Sequence, residues 1–86
     1  MRQLLDARGL ACPLPAIKAR AALATLPAGG TLVVLATDPE APIDIAALAA
    51  DERRAFAAAR EGAHWRLVIS PAPPYAHGGA VRPAAT

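Results

Sequence analysis

The stretch Asp51-Glu52-Arg53-Arg54-Ala55-Phe56-Ala57-Ala58-Ala59-Arg60-Glu61-Gly62-Ala63-His64-Trp65-Arg66-Leu67-Val68-Ile69-Ser70 decides the fold. Its first ten residues have strong intrinsic helix propensity and, read alone, continue the helical segment before them as far as Glu61-Gly62. Read by alternation, Arg54, Phe56, Ala58 and Arg60 face one way and Arg53, Ala55, Ala57 and Ala59 the other. Glu61-Gly62 then becomes a hairpin turn into a strand from Ala63 to Ser70, with Trp65, Leu67 and Ile69 on one face. The first reading closes the domain with a long helix and one strand, the second with a β-hairpin. Propensity favours helix, and the residues of this stretch do not decide between the two.

Upstream the pattern is plainer. Thr31 to Thr37 (TLVVLAT) is a continuous apolar run with β-branched residues, the mark of a strand covered at least partly on both faces. Arg2 to Asp6 reads as a short strand, and Ala7 to Ala11 as a loop punctuated by Gly9. A helix runs from about Pro13 to Leu26, with Leu14, Ile17, Ala21 and Ala24 on the expected buried face and Lys18 and Arg20 reaching solvent. Pro27-Ala28-Gly29-Gly30 stops it. Strand, helix and strand in this order make a right-handed βαβ unit with parallel strands. The loop Asp38-Pro39-Glu40-Ala41-Pro42 leads to a second helix over Ile43 to Ala50. One domain over residues 1–70 is expected, followed over 71–86 by a Pro/Gly/Ala-rich tail, free or laid on the surface.

Eighty-six residues allow one small domain. The 55% apolar content is largely alanine, so the expected core is modest. The formal charge is +2, and no basic run is present, which argues against direct nucleic-acid binding. No stretch approaches the roughly 20 apolar residues that span a bilayer. The apolar start is too short for a secretory signal. One cysteine suits a reducing compartment, so the cytoplasm is expected. Cys12, His64 and His77 lack ligand spacing, and no metal or other cofactor is expected. Gly-rich phosphate loops, Ser–His–acid sets and paired carboxylates are missing from the sequence.

The chemistry therefore centres on Cys12, in Cys12-Pro13-Leu14-Pro15. With Cys12 as N-cap, Pro13 occupies N1 and Pro15 N3, positions where a missing N–H costs no intrahelical bond. The helix dipole and the Leu14 N–H then favour a thiolate, with a pKa below the usual value of about 8.5. The alternative is a small buried hydrophobe, a common role for free cysteine. Arg8 and Lys18 are candidates for positive potential beside the sulfur, each equally readable as a solvated side chain. Asp6 and Asp38 read as turn organisers at strand ends, and Asp44 as an N-terminal residue of the second helix.

The chain resembles the TusA family of sulfur carriers over roughly Leu4 to Ser70. The segments that carry the resemblance are Leu5-Asp6-Ala7-Arg8-Gly9-Leu10-Ala11-Cys12-Pro13-Leu14-Pro15, Lys18, Gly29 or Gly30, Asp38-Pro39 with Ala41, and Asp44-Ile45. The resemblance implies an α/β fold, a two-layer βαβαββ sandwich in which a four-stranded mixed sheet carries two helices on one face, and so favours strand for residues 53–60. It also implies that Cys12 accepts sulfane sulfur as a persulfide and relays it. The donor would be a cysteine desulfurase or rhodanese-like protein, and the receiver an acceptor protein in tRNA thiolation, molybdenum-cofactor or sulfur-oxidation chemistry. Many relatives have Gly-His after the second helix, where this chain reads Ala50-Asp51-Glu52-Arg53-Arg54, and many have a second cysteine in that helix, where this chain has none.

A carrier acts as a relay rather than as a stand-alone enzyme, using Cys12 with Arg8, Pro13, Leu14, Pro15 and Lys18 around it, as a monomer or weak dimer. The competing reading is a non-catalytic interaction or redox-regulatory module on the same fold. A stand-alone thiol peroxidase is disfavoured, because no base or oxyanion set can be named.

Overall fold

Six elements follow one another in β1 (Arg2–Ala7), α1 (Leu14–Thr25), β2 (Thr31–Ala36), α2 (Ala41–Asp51), β3 (Ala55–Glu61) and β4 (His64–Ser70). They are seen in a computed structural model that describes residues 1–71. The remainder of the expected tail, including His77, lies outside the described residues. The strand order is β1-β2-β4-β3, with β1 and β2 parallel and β2–β4 and β4–β3 antiparallel. This is the α/β architecture expected, a four-stranded mixed sheet with two helices. No helix among the described residues is long and apolar enough to cross a membrane.

The stretch 51–70 is a hairpin. Arg60 and Glu61 pair with Trp65 and His64, and Gly62 takes a positive φ of 61° in the turn between them. The strand begins at Ala55, two residues later than Arg53, because α2 ends in a tight cap. The Arg53 N–H donates to Ala50 O at 3.1 Å and the Arg54 N–H to Ala49 O at 2.9 Å, with Arg53 at φ 56°. These two bonds satisfy carbonyls the helix would otherwise leave open, in the arrangement usually built on glycine. Phe56 packs against the core, and Arg54 reaches back to Gly30 O at 3.3 Å. Arg60 lies over the Trp65 ring at 4.9 Å. Of the face expected to hold Arg54, Phe56, Ala58 and Arg60, Arg54 lies just before β3, Phe56 meets the core and Ala58 and Arg60 are exposed, so burial along β3 does not alternate.

The core lies between the helices and one sheet face. Leu32, Val34, Leu67 and Ile69 from the central strands meet Ala19 and Leu23 of α1 and Ile45 and Leu48 of α2. The expected buried face of α1 needs correction. Leu14 and Ile17 are 44% and 55% exposed, and Ala21 and Ala24 are exposed, while Pro15, Ala19, Leu23 and the following Leu26 are buried. The stripe is turned by about one residue. Ala19, with no side chain beyond Cβ, lets the helix lie close to the sheet, and the larger Leu23 and Leu26 fill the far end.

Gly30 sits where the chain leaves α1 for β2. A Cβ there would lie 2.7 Å from Leu26 Cγ, 2.9 Å from its Cδ1 and 3.1 Å from Pro27 O. Leu26 is itself buried and has little room to give. Gly30→Ala is expected to destabilise the domain by about 1–3 kcal/mol, the usual cost of overpacking, read as a lowered denaturation midpoint at unchanged slope.

Candidate functional site

Because β1 and β2 are parallel neighbours in register, with Ala7 opposite Ala36, the loops that follow them leave the sheet side by side. The carboxyl ends of parallel strands are where α/β folds gather chemistry. The first loop turns sharply, with Leu10 N–H donating to Ala7 O at 3.2 Å and Gly9 at φ 84°. A left-handed φ of this kind suits glycine. Gly9 N–H also donates to Thr37 Oγ1 at 2.9 Å, the first link to the second loop.

Asp38 supplies the second link. Its Oδ1 accepts the Glu40 N–H at 2.7 Å, the turn-organising role expected of it, and its Oδ2 accepts the Cys12 N–H at 2.9 Å. The two N–H donors, Cys12 first, hold the Asp38 carboxyl below its usual pKa. A third link falls on the sulfur itself, where Cys12 Sγ donates to Asp44 Oδ2 at 3.0 Å.

Cys12 is exposed, so the buried-hydrophobe reading does not hold. The expected N-cap arrangement does not hold either. Pro13 is the N-cap, α1 begins at Leu14, and Pro15 is its second residue, so Cys12 lies one position outside the helix end. The Leu14 N–H donates to Ala11 O at 2.9 Å and is not available to the sulfur. The expected lowering of the thiol pKa is reversed. The hydrogen bond to Asp44, then desolvation, then the charges of Asp44, Asp38 and Glu40 push it up to about 11. The Asp44 carboxylate contacts the sulfur directly and carries a full charge, whereas a helix terminus offers only partial charge and here begins beyond Pro13.

Arg8 is held elsewhere. Its Nε and Nη2 donate to the two Asp6 carboxylate oxygens at 2.9 and 2.8 Å, and its N–H donates to Oδ1 at 3.1 Å. That fork holds the Asp6 carboxyl down at about 2. Lys18 is exposed on α1, with no hydrogen bond or ion pair among the described residues. Pro15 is buried, and Pro13 and Leu14, next to Cys12 in the chain, are exposed. Ile17 of α1 and Ile43 of α2 are also exposed, Ile43 at 65%. Among the described residues no set of three His, Cys, Asp or Glu side chains is placed to hold a metal ion. The Asp38 and Asp44 contacts to Cys12 were not read from the sequence. Their signal was the pair Asp38-Pro39 and Asp44-Ile45, which reads locally as a turn and a helix start.

The family model described as "Sulfurtransferase TusA" matches residues 3–70. The "Sulfur carrier protein TusA" of Allochromatium vinosum is 47% identical over 47 residues, 55% of this chain and 62% of that protein. The protein of the same description from Pseudomonas syringae is 51% identical over 41 residues, 48% of this chain and 49% of that protein. A Neisseria meningitidis relative is 51% identical over 45 residues, 52% of this chain and 61% of its own length. The matched segment thus spans about three fifths of the first of these curated relatives. The crystal structure of a SirA-like protein from Desulfitobacterium hafniense superposes with a TM-score of 0.74 at 26% identity, covering 83% of this chain and 99% of that one.

Proposed function

The chain belongs to the TusA sulfurtransferase family, and from that premise we propose that it is a sulfur carrier that takes sulfane sulfur on Cys12 as a persulfide and passes it to an acceptor protein. The observation that carries the reading is the exposed Cys12 sulfur on the loop after β1, its backbone held by Asp38 of the β2–α2 loop and its thiol by Asp44 of the first turn of α2. A relay needs a sulfur that a partner can reach and no second thiol to resolve the loaded form as an internal disulfide. Cys12 is the only cysteine in the chain.

In this reading a donor protein of the cysteine desulfurase or rhodanese-like kind presents a persulfide. Cys12 attacks its outer sulfur, and an acceptor's nucleophile later removes that sulfur. Domain 1–70 does the chemistry. Pro13 and Pro15 fix the path of the backbone through the site, and Leu14 offers an exposed apolar contact. Arg8 and Lys18 meet acidic groups of a partner. The carrier works in the cytoplasm as a monomer or weak dimer, without a cofactor, and turns over only as part of a relay.

Intact mass after incubation with a cysteine desulfurase and cysteine, or with thiosulfate, tests this. The expected result is a gain of one sulfur atom that a reductant removes. No gain with any donor would leave the interaction or redox module on the same fold as the leading reading.

A further inference from the structure

We propose that Asp44 is a positioning residue that keeps Cys12 as a closed, protonated thiol in the undocked carrier, and that a cationic group on the partner opens it by engaging the Asp44 carboxylate. The inference rests on the carrier reading and names how that same sulfur is controlled.

The geometry is specific. The sulfur lies on the loop after β1 and the carboxylate on the first turn of α2, 32 residues later, and they meet at 3.0 Å. The backbone on the sulfur's side is itself fixed, because the Cys12 N–H is held by Asp38 Oδ2 at 2.9 Å. The charged groups that face the sulfur are Asp44 of α2 and Asp38 and Glu40 of the β2–α2 loop, all anionic. Arg8, on the cysteine's own loop, has both ends of its fork on Asp6. Among the described residues the charges that act on the sulfur are thus all negative, and the contact made by Asp44 favours the proton staying on sulfur. A sulfur with a pKa near 11 is almost wholly thiol at neutral pH, and the thiol is a poor nucleophile.

A cation brought by a partner reverses this. When it pairs with the Asp44 carboxylate, the sulfur loses its acceptor and its nearest negative charge, and the Cys12 proton leaves to solvent. The thiolate attacks the outer sulfur of the donor's persulfide. One S–S bond forms to Cys12, the donor's S–S bond breaks, and the donor's inner sulfur departs as a thiolate that takes up a proton. The sulfane sulfur changes hands without net oxidation or reduction. The free carrier is thereby shielded from electrophiles that bring no cation.

The test uses the full chain and reads the sulfur directly. Cys12 alkylation by iodoacetamide is followed against pH in wild type, Asp44→Asn and Asp44→Glu. The wild-type midpoint is expected above the usual thiol range, since the rate follows the thiolate fraction. Asp44→Asn is expected to lower it and to speed alkylation at pH 8 by at least about tenfold, and Asp44→Glu to restore part of the protection. A second pair of reagents probes charge. A trimethylammonium-bearing methanethiosulfonate is expected to modify wild type several-fold faster than a sulfonate-bearing one, and Asp44→Asn to shrink that ratio.

A wild-type midpoint in the ordinary thiol range overturns the proposal without any variant. So do superimposable profiles for wild type and Asp44→Asn, or equal rates for the two charged reagents. Alkylation needs no sulfur donor. Unshifted profiles in a protein that still loads sulfur would sink the Asp44 role alone, whereas shifted profiles in a protein that never loads would sink the carrier reading.

Discussion

Cys12→Ser is expected to abolish sulfur loading and transfer completely while leaving the fold intact. Serine is nearly the size of cysteine, and position 12 is exposed, so neither cavity nor clash results. The backbone N–H that Asp38 accepts is unchanged, and a serine hydroxyl can donate to Asp44 as the thiol does. The stability change should stay within the roughly 0.5 kcal/mol typical of surface substitutions. Function, by contrast, depends on an atom that forms and releases a bond to sulfane sulfur under mild conditions, and oxygen does not. Intact mass gives the first readout and transfer to an acceptor the second. A Cys12→Ser protein that still binds its partners and still supports their activity would establish the interaction module instead of the relay.

The second large effect is on stability. Leu67→Ala is expected to cost about 2–5 kcal/mol, the range for truncating a buried leucine. Leu67 is fully buried in the central strand β4, between Val34 of β2 and Ala58 of β3. It belongs to the core cluster with Leu32, Val34, Ile45, Leu48 and Ile69, among alanines that have no side chain beyond Cβ with which to fill a cavity. Small domains sit near the low end of the usual range of about 5–15 kcal/mol, and the variant should lose a large share of its stability. Leu4→Ala serves as the control, since Leu4 is 61% exposed. Denaturant titration followed by Trp65 fluorescence reads both, because Trp65 is the chain's one tryptophan and packs against the same core. Equal midpoints for the two variants would mean that β4 is not central to the core.

What could be read from the sequence follows from how far apart the deciding residues lie. The run Thr31–Thr37 announces β2 because its signal is local, and a strand, helix and strand in order leave few topologies. The α1 stripe misled because the helix is mostly alanine. The contrast between its faces is weak, and choosing the largest side chains, Leu14 and Ile17, turned the stripe toward solvent. The α2–β3 boundary stayed open between helix and strand because its stop signal is absent, and the family resemblance alone leaned to the strand that is observed. Arg53 takes the left-handed position that a glycine would have advertised, and strand pairing with β4 then overrides the helix propensity of the alanines. The Cys12 environment was the least legible. Asp38 and Asp44 lie 26 and 32 residues from Cys12, and the parallel pairing of β1 with β2 brings the β2–α2 loop and the start of α2 to the cysteine's loop. The sign of the thiol shift depends on those contacts, so the proline-flanked motif alone gave the wrong direction.

The Asp38 carboxylate, shared between the amides of Cys12 and Glu40, has a consequence for engineering. The β1–α1 and β2–α2 connections are cross-braced by it and by Gly9 on Thr37, and the β1–α1 connection is braced to the first turn of α2 by Cys12 on Asp44. A graft that moves the cysteine-bearing segment alone into another scaffold leaves three donors without acceptors. The smallest transplantable cassette is therefore the two connections together with the first turn of α2, which carries Asp44, and the two adjacent parallel strands that keep them in step.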